Sequence, residues 1–109
     1  MPKCRELPDV VIISGIPYTI EYKENPSDVD IHRRDSMWGQ IDYWTKTIRI
    51  YNNGNPPQDV WSSIFHEVLH GIAEAFNIDS LRGEGSHEDL DLLALALYDT
   101  FSRNGWLAE

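Results

Sequence analysis

The sequence of 109 residues holds one cysteine, Cys4, so no internal disulfide can brace the fold. Cys4 reads as a bystander thiol within residues 1–9, a stretch expected to be poorly ordered. No apolar run approaches the roughly 18 residues that a membrane-spanning helix needs, and no membrane association is expected. The opening MPKCRELPDV lacks the apolar centre of a secretory leader, which points to a cytoplasmic protein. Basic residues are few: nine Lys and Arg stand against 18 Asp and Glu, for a formal net charge of −9. They are scattered, and the one adjacent pair, Arg33-Arg34, is flanked by Asp30 and Asp35. Direct binding of nucleic acid is therefore disfavoured. The acidity serves solubility first, and secondarily concentrates cations near the surface. Repeats and low-complexity stretches are absent, and the length suits one domain over residues 1–109.

What is present is ordered as strands followed by helices. Val10 to Ser14 is a short β-branched run, and Ile16, Tyr18, Ile20 and Tyr22 then alternate with other residues at the period of a half-buried strand. Gly15 between them marks a bulge or tight turn. Residues 23–36 read as a polar loop. Trp38 to Tyr43 and Thr47 to Tyr51 read as a hairpin, with Ile48 and Ile50 on one face and Thr47, Arg49 and Tyr51 on the other. Thr47 to Tyr51 is a candidate edge strand to receive an extended peptide. After the break Asn52 to Pro57, a helix is expected over about 58–77, because Trp61, Ile64, Phe65, Val68, Ile72 and Phe76 recur at helical spacing. A loop with two glycines follows. Ser86 opens a second helix with Asp89 in a capping-box-like arrangement, and this helix runs to about Arg103. Its centre, Leu90 to Leu97, is apolar on nearly every face, so it must be covered by the sheet and first helix or by a second copy of the chain. The fold class is α+β: a small antiparallel or mixed sheet beside two main helices.

The chemistry lies in His66-Glu67-Val68-Leu69-His70. Histidines four apart on a helix share a face about one turn apart, so both imidazoles can reach one ion, zinc being the expected metal. Glu67 is displaced by about 100° around the axis, where a carboxylate can take a proton from a metal-activated water without ligating the metal. A tetrahedral site needs a third protein ligand. Glu74 lies about 12 Å along the axis from His66, too far for one ion. Cys4 is remote. His87 and Glu88 open the second helix, and an antiparallel helix pair brings either to the metal; the chemistry alone leaves both open. Asp91, one turn after Glu88, is placed to orient a ligand histidine by accepting its free N–H. Tyr43, Tyr98 and His32 are weaker candidates for oxyanion stabilisation.

The stretches Phe65 to Ile72 and Ser86 to Ala94 resemble the minimal gluzincin pattern of small phage and bacterial proteins, similar to ImmA/IrrE-type metallopeptidases. In that family a second helix of the form E-x-(small or apolar)-(Asn or Asp)-x-(apolar)-Ala follows the H-E-x-x-H helix. Its Glu, the third zinc ligand, falls here on Glu88, with Asp91 and Ala94 at the matching positions and Leu90 where a small residue is usual. The Gly39-Gln40-Ile41-Asp42 and Thr47-Ile48-Arg49-Ile50 segments resemble the family's strand pair, so the likeness covers about residues 38–103. It implies a zincin-like fold and one Zn2+ held by His66, His70 and Glu88. It also implies hydrolysis of a peptide or protein substrate with Glu67 as general base. Family members often carry a DNA-binding domain, for which this length leaves no room. A contrasting expectation is a catalytically silent, zinc-stabilised protein-interaction module. A deformylase-like amidase using Cys4 has no further motif in its favour.

Overall fold

A computed structural model describes residues 7–30, 38–82 and 87–107, with His87 by its backbone alone. It contains strands β1 (Val10–Ile13), β2 (Ile16–Lys23), β3 (Gly39–Asp42) and β4 (Thr47–Tyr51), and helices α1 (Pro57–Phe76) and α2 (His87–Arg103). Short 3-10 turns occupy Pro26–Asp28 and Asp79–Leu81. The β1–β2 hairpin closes through Ser14 and Gly15, both at positive φ (51° and 80°), the backbone of a two-residue turn matched to strand twist. Pro57 starts α1 where an N–H is dispensable, and Asn77 ends it in the left-handed conformation with its N–H on the Ala73 carbonyl. Ser86, the expected cap of α2, lies outside the described residues, as do Cys4 and His32.

The sheet is mixed, in the order β1-β2-β4-β3. β2 and β4 run parallel, with Ile20 beside Ile48 and Tyr22 beside Ile50, while the outer pairs are antiparallel. β4 is therefore interior and cannot take an added strand, contrary to the expectation for Thr47 to Tyr51; the free edge beside it is β3. The reason is burial. Ile48 and Ile50 are fully enclosed, whereas every residue of β3 is only partly covered. Leu7 to Asp9 also join the structure: Leu7 packs on the core, Tyr22 donates its hydroxyl to the Pro8 carbonyl at 2.6 Å, and the Ile20 N–H bonds the Asp9 carbonyl.

Ile13, Tyr18, Ile20, Ile48 and Ile50 form the inner face of the sheet, and Val60, Trp61 and Ile64 of α1 cover it. α2 packs on the other side of α1 through the buried Leu90 and Ala94 and through Phe101, edge-on to Phe65 at 5.5 Å. Lying between two layers, α1 buries more than one stripe, and the expected stripe does not extend to Phe76, which is 61% exposed; Ala73 is buried instead. Leu92, Leu93 and Leu95 leave an open apolar side on α2. Among the described residues no helix is long and apolar enough to cross a membrane.

α1 comes close to the sheet at Gly71, where an added Cβ would meet Ile13 Cδ1 at 2.7 Å and Ile41 Cδ1 at 3.1 Å. Gly71→Ala gains about 1 kcal/mol of helix propensity but loses roughly 1–3 kcal/mol to overpacking. Denaturant unfolding is expected to show net destabilisation of Gly71→Ala and partial rescue by Ile13→Val, which removes the obstructing methyl. Additive effects of the two changes would contradict this packing.

Candidate metal centre and catalytic site

Residues His66 and His70 lie in the middle of α1, held by its helical hydrogen bonds rather than by a loop. Their Nε2 atoms face each other at 3.0 Å. Two nitrogens bound at about 2.0–2.1 Å to one tetrahedral ion stand roughly 3.3 Å apart, so the pair needs to open by only a few tenths of an ångström to fit. Asp91, on the α2 face that packs against α1, has its carboxylate oxygen 2.7 Å from His66 Nδ1. A carboxylate so placed favours a proton on Nδ1, which would leave Nε2 its lone pair, the tautomer that a metal ligand needs, although the contact lacks the alignment of a hydrogen bond.

Glu67 points from the neighbouring row of the helix toward the sheet. It is buried, its carboxylate accepts the backbone N–H of Ile41, and it lies against Gly39, where an added Cβ would stand 3.1 Å from both Glu67 Cγ and Oε2. Burial pushes its pKa up to about 8; the Asp91 charge adds to this, and the Ile41 N–H opposes it.

Of the possible third ligands, Glu88 sits exposed in the first turn of α2, one turn before Asp91. Among the described residues no three His, Cys, Asp or Glu side chains converge as a group able to hold a metal, so Glu88 is not brought together with the two imidazoles. The His87 side chain lies outside the described residues. Glu74 is drawn away by Arg82 at 3.4 Å. Tyr43 donates its hydroxyl to the His70 carbonyl at 3.2 Å, and burial pushes its pKa up to about 12, so it stays a neutral donor at the site. Tyr98 instead lines a groove with Leu92 and Leu95 on the open side of α2.

Two adjoining depressions, of about 340 and 460 Å³, share Trp38, Gly39, His66 and Glu67 and form one cleft along α1. One end reaches Asp59, Ser62 and Ser63, and the other reaches Tyr43 and His70. The far wall is β3. The Tyr51 N–H bonds the Trp38 carbonyl, so the alternation of an antiparallel ladder turns the backbone groups of Gly39 and Ile41 to the free edge. Sequence reasoning missed Gly39, Trp38 and the Asp59–Ser63 end of the cleft. The signal was available: Asp59, Ser63, His66 and His70 recur at spacings of four, three and four, a polar stripe on one helix face. In comparisons with protein-family models, curated proteins and solved structures, nothing matches this chain.

A carboxyl whose folded pKa of about 8 exceeds its ordinary 4.5 contributes stability that is fully present below 4.5 and is lost as pH rises through 8. The metal-free protein, in chelator, is thus expected to lose a few kcal/mol between pH 4.5 and pH 9, since each tenfold change in proton affinity is worth ~1.4 kcal/mol. Glu67→Gln should flatten that slope in denaturant titrations at the two pH values. An unchanged slope would show that Glu67 is not the buried titrating group.

Proposed function

We propose that this chain is a zinc-dependent peptidase in which His66 and His70 would hold the ion, Glu88, which stands apart from them in the metal-free chain, would turn in as third ligand, and Glu67 is the general base. The observation that carries the reading is the convergence of the two Nε2 atoms at 3.0 Å in a cleft that also contains the buried Glu67 carboxyl. The donor set fits zinc in its two nitrogens, and the Asp91 carboxylate beside His66 Nδ1 favours the tautomer a ligand needs. When bound, such an ion polarises a scissile carbonyl and lowers the pKa of a water to about 7.

The residues of the chain divide the remaining work. Glu67 accepts the water proton and delivers it to the leaving nitrogen. Its pKa of about 8 belongs to the metal-free chain and falls in the field of a neighbouring cation, toward the range where a base works at neutral pH. Asp91 keeps His66 oriented, and Tyr43 offers a neutral donor at one end of the cleft. The free edge of β3 at Gly39, with the Ile41 N–H already taken by Glu67, suits an extended peptide laid beside α1. The alternative of a catalytically silent zinc-stabilised interaction module draws on one observation: no three-donor group is assembled among the described residues.

Metal analysis and a peptide-cleavage assay separate these readings. His66→Ala and His70→Ala are expected to abolish stoichiometric zinc, and Asp91→Ala to weaken it by about 10–100-fold. Glu67→Gln is expected to keep the metal and lose a factor of about 10²–10⁴ in turnover. If wild type and Glu67→Gln prove equally inactive on every peptide while chelation lowers thermal stability, the silent module is the correct reading.

A further inference from the structure

The depression of about 340 Å³ that holds His66 and Glu67 also reaches Asp59, Ser62 and Ser63, which the proposed chemistry does not use. Besides His66 and Glu67 it is lined by Asp59, Ser62, Ser63, Asp91 and Trp38. Among the described residues no lysine or arginine lines either part of the cleft. Ser62 Oγ is buried and has no hydrogen-bond partner among the described residues. Ser63 Oγ is already engaged on the Asp59 backbone carbonyl, which leaves the exposed Asp59 carboxylate itself facing solvent. Trp38 is 55% exposed and is fixed edge-on to Tyr51 at 5.3 Å, so its ring stands as a preset wall. An acidic head group and an exposed indole are together a recognition set for an ammonium or guanidinium.

From this lining we infer that the substrate is a basic peptide segment, with a lysine or arginine side chain seated between Trp38 and Asp59. The inference rests on the peptidase reading for its reaction but not for its binding. Asp59 lies seven residues before His66, about 10 Å along the helix. An extended peptide advances about 3.3 Å per residue, so the cation belongs within about three residues of the bond that is cut. The net charge of −9 works in the same direction, by drawing a cationic segment toward the cleft.

The test uses the zinc-loaded full chain and peptides bearing Lys, Ala or Glu at each of the three positions on either side of the scissile bond. Cleavage gives kcat/KM, and fluorescence anisotropy of labelled peptides on Glu67→Gln gives affinity without turnover. The expected result is a preference for Lys over Glu of roughly tenfold or more, the scale of one charge-assisted hydrogen bond. Asp59→Asn should reduce that preference severalfold and Asp59→Lys should invert it, with circular dichroism unchanged because Asp59 is exposed. Cleavage with no preference for Lys overturns the inference and leaves the peptidase reading standing. Asp59-dependent binding of Lys peptides without any cleavage supports the inference while the peptidase reading fails. Neither cleavage nor selective binding overturns both.

Discussion

Helix α1 lies against the sheet at two residues that have no side chain. Gly71 lets the helix come down on Ile13 and Ile41, and Gly39 lets β3 come up to Glu67. Either would meet heavy atoms at about 3 Å or less if it carried a Cβ. That closeness brings the Glu67 carboxyl within reach of the Ile41 N–H and makes the free edge of β3 one wall of the cleft. The opposite wall is α1 itself, so the width of the cleft is set by glycines rather than by large side chains. Interiors this closely packed transmit small changes, and the geometry of the histidine pair is coupled to the packing of the sheet.

The same contact removes Glu67 from water. A carboxyl held at a pKa of about 8 by burial is a destabilising feature at neutral pH, offset locally by a single backbone donor. A chain stabilised only by its core would gain by replacing it with an apolar residue. A buried acid beside two imidazoles whose Nε2 atoms converge is the kind of strain that functional sites carry. On the proposed reading the unfavourable desolvation is relieved when a cation is held nearby, so metal binding and stability are coupled through Glu67. Asp91 works in the opposite sense for His66. Its carboxylate beside Nδ1 favours a proton there, and because Asp91 is itself largely exposed, water competes with this contact.

Much of this architecture was legible in the sequence. The alternation of Ile16 to Tyr22, the breaks at Gly15 and Asn52 to Pro57, and the helical spacing from Trp61 onward locate the elements within one or two residues. The pairing order of the strands was not legible from periodicity, which is local. Placing β4 inside the sheet required comparing the two strands of the hairpin: Ile48 and Ile50 demand burial, while Gly39-Gln40-Ile41-Asp42 tolerates an edge. Phe76 departs from the expected stripe because a helix wedged between two layers does not keep a single stripe, and its last turn runs beyond the sheet. At the site, the H-E-x-x-H spacing alone identified the converging imidazoles. The third ligand was legible only through a likeness at Glu88, and the Ile41 donor could not be seen at all, since a backbone N–H has no signature in sequence.

The division of labour in the cleft follows from the pitch of one helix. Successive residues step about 100° around α1, so adjacent positions face different layers. Ile64, Glu67 and Gly71 fall on the sheet-facing row, Phe65 turns to Phe101 of α2, and Asp59, Ser63, His66 and His70 fall on the row that opens to the cleft. The acid can therefore be desolvated while the histidines beside it in sequence remain accessible. The same row that carries the imidazoles continues toward the N-terminus of α1 to a free carboxylate, with no change of element and no intervening loop. On the proposed reading, metal binding and recognition of a cationic side chain are then fixed relative to each other by helix geometry alone. Selectivity for a basic segment would survive changes in the surrounding loops but not a break in α1 between Asp59 and His66.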